Sequence, residues 1–443
     1  MPARVARHRP SRRRVIRDLG LALGAAASSG ISRPAVAQPT KKLVYVVWAF
    51  EPQTHREHAD RFEAENPSYK VEMVTVNFRD YVKKVLAMVN AGEQIDAMLV
   101  YNFHVASWAE GGVIQAVDGM PGLDALNRDM LPFVRDIMMY KGKQYGLPYY
   151  QDIAGFIWRE DIVKKAGFFA PPANLDELKT QALEIKKQKI MEYPIVFEAI
   201  LTPSSMYYYY SLVYGSGGRF FDSDLEPTFP DRDQVPVQVL EWLVEAFQNW
   251  KIVDSSSMEM DPNKVRDVFA AGNVTFTILH RYYLRHLNDP KLSKVAGLAK
   301  FSEVPGLPSQ RRNVEGWARL YGMGTTALNK DDAWKLVQFL GGTDKGGQYY
   351  TANRWVELHG LGPGYAPVIA SSDVRANIAK WVDPEISGRM AQTAVVREIS
   401  KATWYPEADL FMQQQVQKAL LRQASPRDAL SATAAKVRAL KKS

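Results

Sequence analysis

Residues 145–158 read YGLPYYQDIAGFIW. Tyr149 and Tyr150 are followed at once by a polar pair, Gln151 and Asp152. Ala154 and Gly155 come next, then the apolar run Phe156, Ile157 and Trp158. A buried strand does not carry Gln and Asp beside such a run unless something satisfies them. A surface loop does not carry so much aromatic and β-branched weight. The rest of the chain has to decide between these readings.

At 443 residues the chain exceeds one ordinary core, so two domains are expected. Its 46% hydrophobic and 23% charged residues are those of a water-soluble globular protein. The net charge of +8 first suggests an anionic partner such as nucleic acid. The charge is concentrated at one end, however. Residues 1–37 hold eight arginines and one acid, and the remainder has 48 basic and 47 acidic residues. A nearly neutral body gives no nucleic-acid footprint.

The N-terminal segment has three parts in order. They are SRRRVIR (11–17), the mildly apolar DLGLALGAAASSGI (18–31), and AVA (35–37), a small-x-small cleavage site. Residues 1–37 resemble a bacterial twin-arginine export signal, with a basic tail or a transit peptide as alternatives. The apolar part is too short to span a bilayer permanently, and no later stretch reaches about 18 uninterrupted apolar residues. The absence of cysteine excludes disulfides, thiolate-held metals, a cysteine nucleophile and a lipid anchor on cysteine.

After the signal, KLVYVVW (42–48), YKVEMVTV (69–76) and DAMLVY (96–101) read as strands. QTHREHADRFEAE (53–65) and RDYVKKVLAMVNAG (79–92) read as the helices between them. This alternation predicts an α/β layer on a mainly parallel sheet. Helices are expected at 174–187, 235–250, 261–272 and 425–442, with Asn174, Asp261 and Ser425 as caps. Strands are expected at 274–279 and 319–328. No Gly/Ser/Pro linker divides the chain, so the domains should be joined by several short crossings.

Five blocks of the chain together resemble one family. They are FEAENPSYKVEMVTVNFRDYVKKVLAMVNAGEQIDAMLV (62–100), GKQYGLPYYQDIAGFIWREDIVKKAGF (142–168), VRDVFAAGNVTFTILHRYYL (265–284), GWARLYGMGTTALNKDDAWKLVQFL (316–340) and ALLRQASPRDALSATAAKV (419–437). In this order they are similar to the extracellular solute-binding proteins of ABC importers, in the maltose-binding-like, sugar-binding group. One departure is His280-Arg281-Tyr282, where that group carries Gly-Pro-Trp.

The resemblance implies a two-lobed α/β Venus-flytrap fold, each lobe a mainly parallel sheet flanked by helices. The N-terminal lobe would comprise 38–150 and 279–326, and the C-terminal lobe 151–278 and 327–443. Crossings are implied near 149–153, 274–280 and 323–329, and the lobes would close on a ligand by hinge motion. The resemblance also implies a monomeric periplasmic receptor that hands a carbohydrate to an ABC permease, without catalysis, cofactor or metal.

A sugar site needs flat aromatic faces and planar polar side chains, and in α/β sheets it sits at the carboxyl ends of strands. Candidate contacts are therefore Trp48, Phe50 and Glu51 after the first strand, and Asn102 and Phe103 after the third. The crossing adds Tyr150 and Asp152, the latter matching an acidic sugar ligand of the family. Tyr282 stands where the family has its stacking Trp, with Arg281 beside it. Tyr207, in SSMYYYYSLVYGSGG (204–218), matches a cleft aromatic, and four consecutive tyrosines are not expected all to face a core. Trp317 and Trp355 complete the set. For each of these, ordinary packing is the alternative.

His55 and His58 share a helix face, read as surface because no third metal ligand accompanies them. Arg79, Arg281, Arg319 and Arg354 keep open an anionic solute, such as a uronate or sugar phosphate, on the same fold. An exported carbohydrate-active enzyme is the weaker alternative, since no sequence motif singles out a carboxyl pair. On the receptor reading, Tyr282→Ala and Asp152→Ala should each cost about 1–3 kcal/mol of ligand binding without unfolding the chain.

Overall fold

β1 (Lys41–Trp48) and β2 (Tyr69–Val76) lie parallel, paired along their whole lengths from Lys41 opposite Tyr69 to Trp48 opposite Val76. β3 (Ala97–Tyr101) is parallel to β1 on its other side, and all five of its residues are buried. α1 (Pro52–Glu65) and α2 (Tyr81–Asn90) connect these strands. The computed structural model describes residues 40–201, 206–308 and 313–442, so the expected export segment 1–37 lies outside it.

Two long strands organise the rest. They are β4 (Leu147–Arg159) and, later in the chain, β7 (Val314–Gly324). Between them come β5 (Phe276–His280) and β6 (Ala299–Ser302). β7 runs antiparallel to β3, with Arg319 opposite Tyr101, and antiparallel to β4, with Gly316 opposite Ile153. The main path of the sheet is β2-β1-β3-β7-β4-β5.

β4 exchanges partners within YGLPYYQDIAGFIW (145–158). Leu147 to Ile153 pair with β7. Ala154 to Trp158 pair with β5, and Phe156 to Arg159 pair with β6. The strand therefore belongs to two halves of the molecule and crosses between them at Ile153/Ala154. Gly155 sits just past the exchange, where a Cβ would lie 2.1 Å from Phe301 Cζ of β6. A side chain there would force the strands apart.

Helix signals in the sequence are realised in the caps. Asn174 accepts from the Glu177 N–H at the start of α3 (Leu175–Lys187). The helix Tyr207–Gly215 is α4, and α5 is Val235–Gln248. Asp261 accepts from the Lys264 N–H at the start of α6 (Pro262–Ala270). After β7 come α7 (Lys330–Gly341), α8 (Tyr350–His359), α9 (Tyr405–Leu420) and α10 (Pro426–Leu440). Ser425 caps α10 by accepting from the Asp428 N–H. Among the described residues no helix is long and apolar enough to cross a membrane.

The packing departs from the expected lobe boundaries. β6 pairs with the second half of β4, so 299–302 joins the second half. α7 packs on β1, β3 and α1 in the first half, and Lys41 donates to Asp332 there at 2.7 Å. β5, where a crossing was expected near 274–280, stays with the second half of β4, while β7 pairs with β3 and packs on α4. α9 returns to the second half, against α5. A buried strand that serves two layers carries no composition mark where it changes layer.

Two further expectations change. Tyr207, Tyr208, Tyr209 and Tyr210 are all buried, because α4 is enclosed on every side. Tyr208 stacks on Phe197 at 5.2 Å, and the Tyr209 hydroxyl donates to the Pro236 carbonyl at 2.8 Å. His55 and His58 are likewise fully buried rather than on the surface. His55 Nδ1 shares a 2.7 Å hydrogen bond with the Tyr45 hydroxyl, and both rings meet Trp355 edge to face.

Burial holds both imidazoles below the ordinary histidine range, His58 at about 3 despite the opposing pull of Glu57. The unfolded chain therefore binds protons that the folded one refuses, and stability falls as pH drops below the ordinary histidine value. Each such histidine should cost about 2 kcal/mol between pH 7 and pH 5. Denaturant unfolding at the two pH values should show His58→Leu losing less stability than the wild type by about that amount. Equal losses would contradict it.

Candidate functional site

The carboxyl ends of β1 and β3 carry a run of stacked rings. Trp48 stacks on Tyr101 at 4.8 Å, and Tyr101 stacks on Phe103 at 5.0 Å. Arg319, from β7, lays its guanidinium over Tyr101 at 5.0 Å and over Phe103 at 5.5 Å. It also donates to Asn102 Oδ1. These contacts fix the loop after β3 against the strand that joins the halves.

The second half presents α4 end-on to this loop. Glu198 Oε1 accepts from the Tyr207 N–H at 2.7 Å, so a buried acid satisfies the helix start. The Tyr207 ring meets His280 at 4.2 Å and Trp317 at 5.2 Å. His280 lies 4.0 Å from Trp317 and 5.4 Å from Tyr282. Between the halves a cavity of about 10 Å³ is lined by Asn102, Phe103, Tyr207, Glu315, Gly316, Trp317, Arg397 and Tyr405. That is about the least room a single water needs, so the two halves meet closely at this point.

A larger cavity of about 250 Å³ lies at Glu303, Val304, Asn313 and Arg389. None of the stacked rings line it. The small space is the better candidate because predicted residues from several elements converge on it.

A buried charge network closes one wall. Arg397 Nε donates to Glu315 Oε1 at 2.6 Å, and its Nη1 reaches the Tyr405 hydroxyl at 3.3 Å and Asp409 Oδ1 at 3.5 Å. Its guanidinium lies 3.9 Å from the centre of the Tyr210 ring and 4.9 Å from that of Tyr207. Burial pushes the Glu315 carboxyl up to about 7 even with Arg397 beside it. Burial, and then Arg319 and Arg397, hold His280 well below the ordinary histidine range.

Of the sequence candidates, Asn102, Phe103, Tyr207 and Trp317 line the space directly. Tyr282 joins through His280, and Tyr150 lies opposite Arg319 in the strand pairing. Trp48 backs the ring stack. Phe50, Glu51 and Trp355 form a separate group. Phe50 stacks on Trp355 at 6.4 Å, and Glu51 faces His359 at 3.6 Å. Trp355 is a core residue of the first half, its Nε1 donating to the Tyr321 hydroxyl at 3.0 Å.

Asp152 and Arg281 pair with each other, Nε to Oδ1 at 3.1 Å, with almost no exposure. Asp152 Oδ2 also accepts from the Tyr282 N–H at 3.1 Å. Burial pushes the Asp152 carboxyl above the usual carboxylate range, against the pull of Arg281. Its acceptors are thus engaged by the protein rather than turned to the cleft. Arg354 is engaged elsewhere, with Glu57 at 2.8 Å and Glu357 at 2.6 Å.

Sequence reasoning did not place Glu315, His280, Arg397 or Tyr405 at the site. Glu315 and Trp317 flank Gly316 at the start of β7, ahead of the point where the strand was expected to begin. Arg397 is 82 positions from Glu315, and only the fold brings them together.

With this geometry in view, comparisons define the class. A model of the bacterial extracellular solute-binding protein family matches residues 51–346, and the chain belongs to that family. A putative binding protein of Brucella abortus (strain 2308) is 25% identical over 321 residues, covering 72% of this chain and 74% of that protein. The maltotriose-binding protein of Pyrococcus abyssi is 24% identical over 328 residues, 72% of this chain and 64% of that protein. The solved structure of maltose-bound T. maritima MalE3 superposes with a TM-score of 0.78 at 18% identity, covering 90% of this chain and 100% of that one. The fold is therefore the two-lobed periplasmic-binding-protein fold.

Removing one member of the Asp152–Arg281 pair leaves the other buried and uncompensated. Arg281→Ala and Asp152→Ala should each destabilise the protein by about 3–5 kcal/mol, and the double variant by much less than their sum. Denaturant unfolding checks this. An additive double variant would show that the pair is not coupled, and an Asp152→Ala protein of unchanged stability would restore the expectation of a free cleft acid.

Proposed function

We propose that this protein is the periplasmic substrate-binding receptor of an ABC transporter. It captures a carbohydrate, a mono- or oligosaccharide or a polyol, in the interlobe cleft and delivers it to a membrane permease. The observation that carries this reading is the meeting of Phe103, Tyr207, Trp317 and Asn102 from opposite lobes around one closed space. Aromatic faces suit the apolar face of a pyranose, and the amide and buried charges suit its hydroxyls. Names of relatives support it: one binds maltotriose, and another, from Pseudomonas aeruginosa, is a mannitol-binding protein.

A space of about 10 Å³ admits no sugar, so binding requires the lobes to part and close again. Closure then desolvates the few contacts that set affinity. Export through the N-terminal segment 1–37, a monomeric state and the absence of catalysis complete the proposal.

A thermal-shift screen against mono- and oligosaccharides, polyols and uronates should find a stabilising ligand, because binding to the folded state raises stability by mass action. For that ligand, calorimetry should show Tyr207→Ala and Trp317→Ala each weakening binding by about 1–3 kcal/mol. Tyr282→Ala should show a similar loss. Unchanged affinity in all three would move the site elsewhere. No stabilisation by any carbohydrate would remove the function.

A further inference from the structure

We propose that the sugar bound in this cleft carries an acidic group, a carboxylate or a phosphate, and that Arg319 is the residue that receives it. This rests on the carbohydrate reading and narrows its substrate class. Arg319 is only 8% exposed, yet among the described residues no carboxylate forms an ion pair with it. Its hydrogen bond goes to a neutral amide, Asn102 Oδ1. Burial works against its charge, and the titratable groups nearest it are the tyrosines Tyr150, Tyr207 and Tyr101 rather than an acid.

A buried cation without a counter-ion is costly, and ring faces offset only part of that cost. The other two buried arginines near the cleft are compensated. Arg281 has Asp152, and Arg397 has Glu315 and Asp409. Arg319 thus stands out as a buried cation without an acid, held against Asn102 and Phe103, which line the cavity.

The rest of the wall fits an acid that also bears hydroxyls. Asn102 spends its acceptor on Arg319, which leaves its amide N–H groups as donors. Among the described residues Arg397 Nη2 is buried without a hydrogen-bond partner, and it adds another donor. Glu315 Oε2, also buried without a partner, offers an acceptor. A simple anion has nothing to give that acceptor, whereas a sugar hydroxyl does. A guanidinium fork suits carboxylate and phosphate alike.

The test is calorimetry on the exported chain with matched pairs: D-galacturonate against D-galactose, and glucose 6-phosphate against glucose. Acetate and inorganic phosphate serve as anions without a sugar. The acidic member of at least one pair should bind about tenfold tighter or better than its neutral partner. Which pair shows this tells a carboxylate from a phosphate. Arg319→Met should erase the preference, while Arg319→Lys should keep part of it. If Arg319→Met does not fold, the wild-type pairs decide alone. Equal or tighter binding of both neutral sugars, or a preference untouched in a folded Arg319→Met, overturns the inference and leaves the carbohydrate reading standing. Acetate or phosphate binding as tightly as the sugar acids overturns the carbohydrate reading instead. Binding of nothing in the panel overturns both.

Discussion

The antiparallel pairing of β4 with β7 is the constraint on which the rest depends. From Tyr321 opposite Leu147 to Gly316 opposite Ile153, it holds the middle of the sheet together. At Ala154, β4 leaves β7 and joins β5, while the start of β7 pairs with the short strand Ala394–Val395. Two layers thereby share two continuous strands. One continuous core runs through both halves, and the residues at the exchange lie where they meet. Gln151 and Asp152 stand at that boundary, which is why polar side chains interrupt an aromatic strand.

The same geometry sets the electrostatics. Strands crossing a boundary bring charged side chains into a closed, poorly solvated region, where each must find compensation. Asp152 does so with Arg281, and Glu315 does so with Arg397. Arg319 does so with ring faces and an amide, the weaker solution. Functional residues commonly carry such local costs, and the surrounding core stabilises the whole. Here the core is extensive, from the fully buried β3 to the enclosed tyrosine helix.

Much of this was legible in the sequence. The βαβαβ start, the three capped helices and the two-lobed architecture follow from periodicity, cap residues and the order of five family-like blocks. Asn102 and Phe103 were picked from the end of a strand and Tyr207 from the family resemblance, and the fold brings these together with Trp317 around one small space. The parts that were not legible depend on distance in space. Nothing near Arg397 announces that Glu315 will meet it, or that α7 will pack on β1 rather than beside α9. The tyrosine run misled because a helix closed in on all sides has no solvent face to leave polar, and the histidines misled because Trp355 and Tyr45 cover them.

Two lobes that part to admit a saccharide and close upon it should be seen to move. The chain has no cysteine, so a pair of introduced cysteines can be labelled without background. Lys84 on α2 and Lys187 on α3 are exposed and sit on opposite lobes. Spin-label distance distributions between Lys84→Cys and Lys187→Cys, with and without a saccharide shown to bind, read the motion directly. The account predicts a broader or longer distribution in the free protein that collapses to one shorter distance on binding. An unchanged distribution in the presence of a saturating saccharide would contradict it.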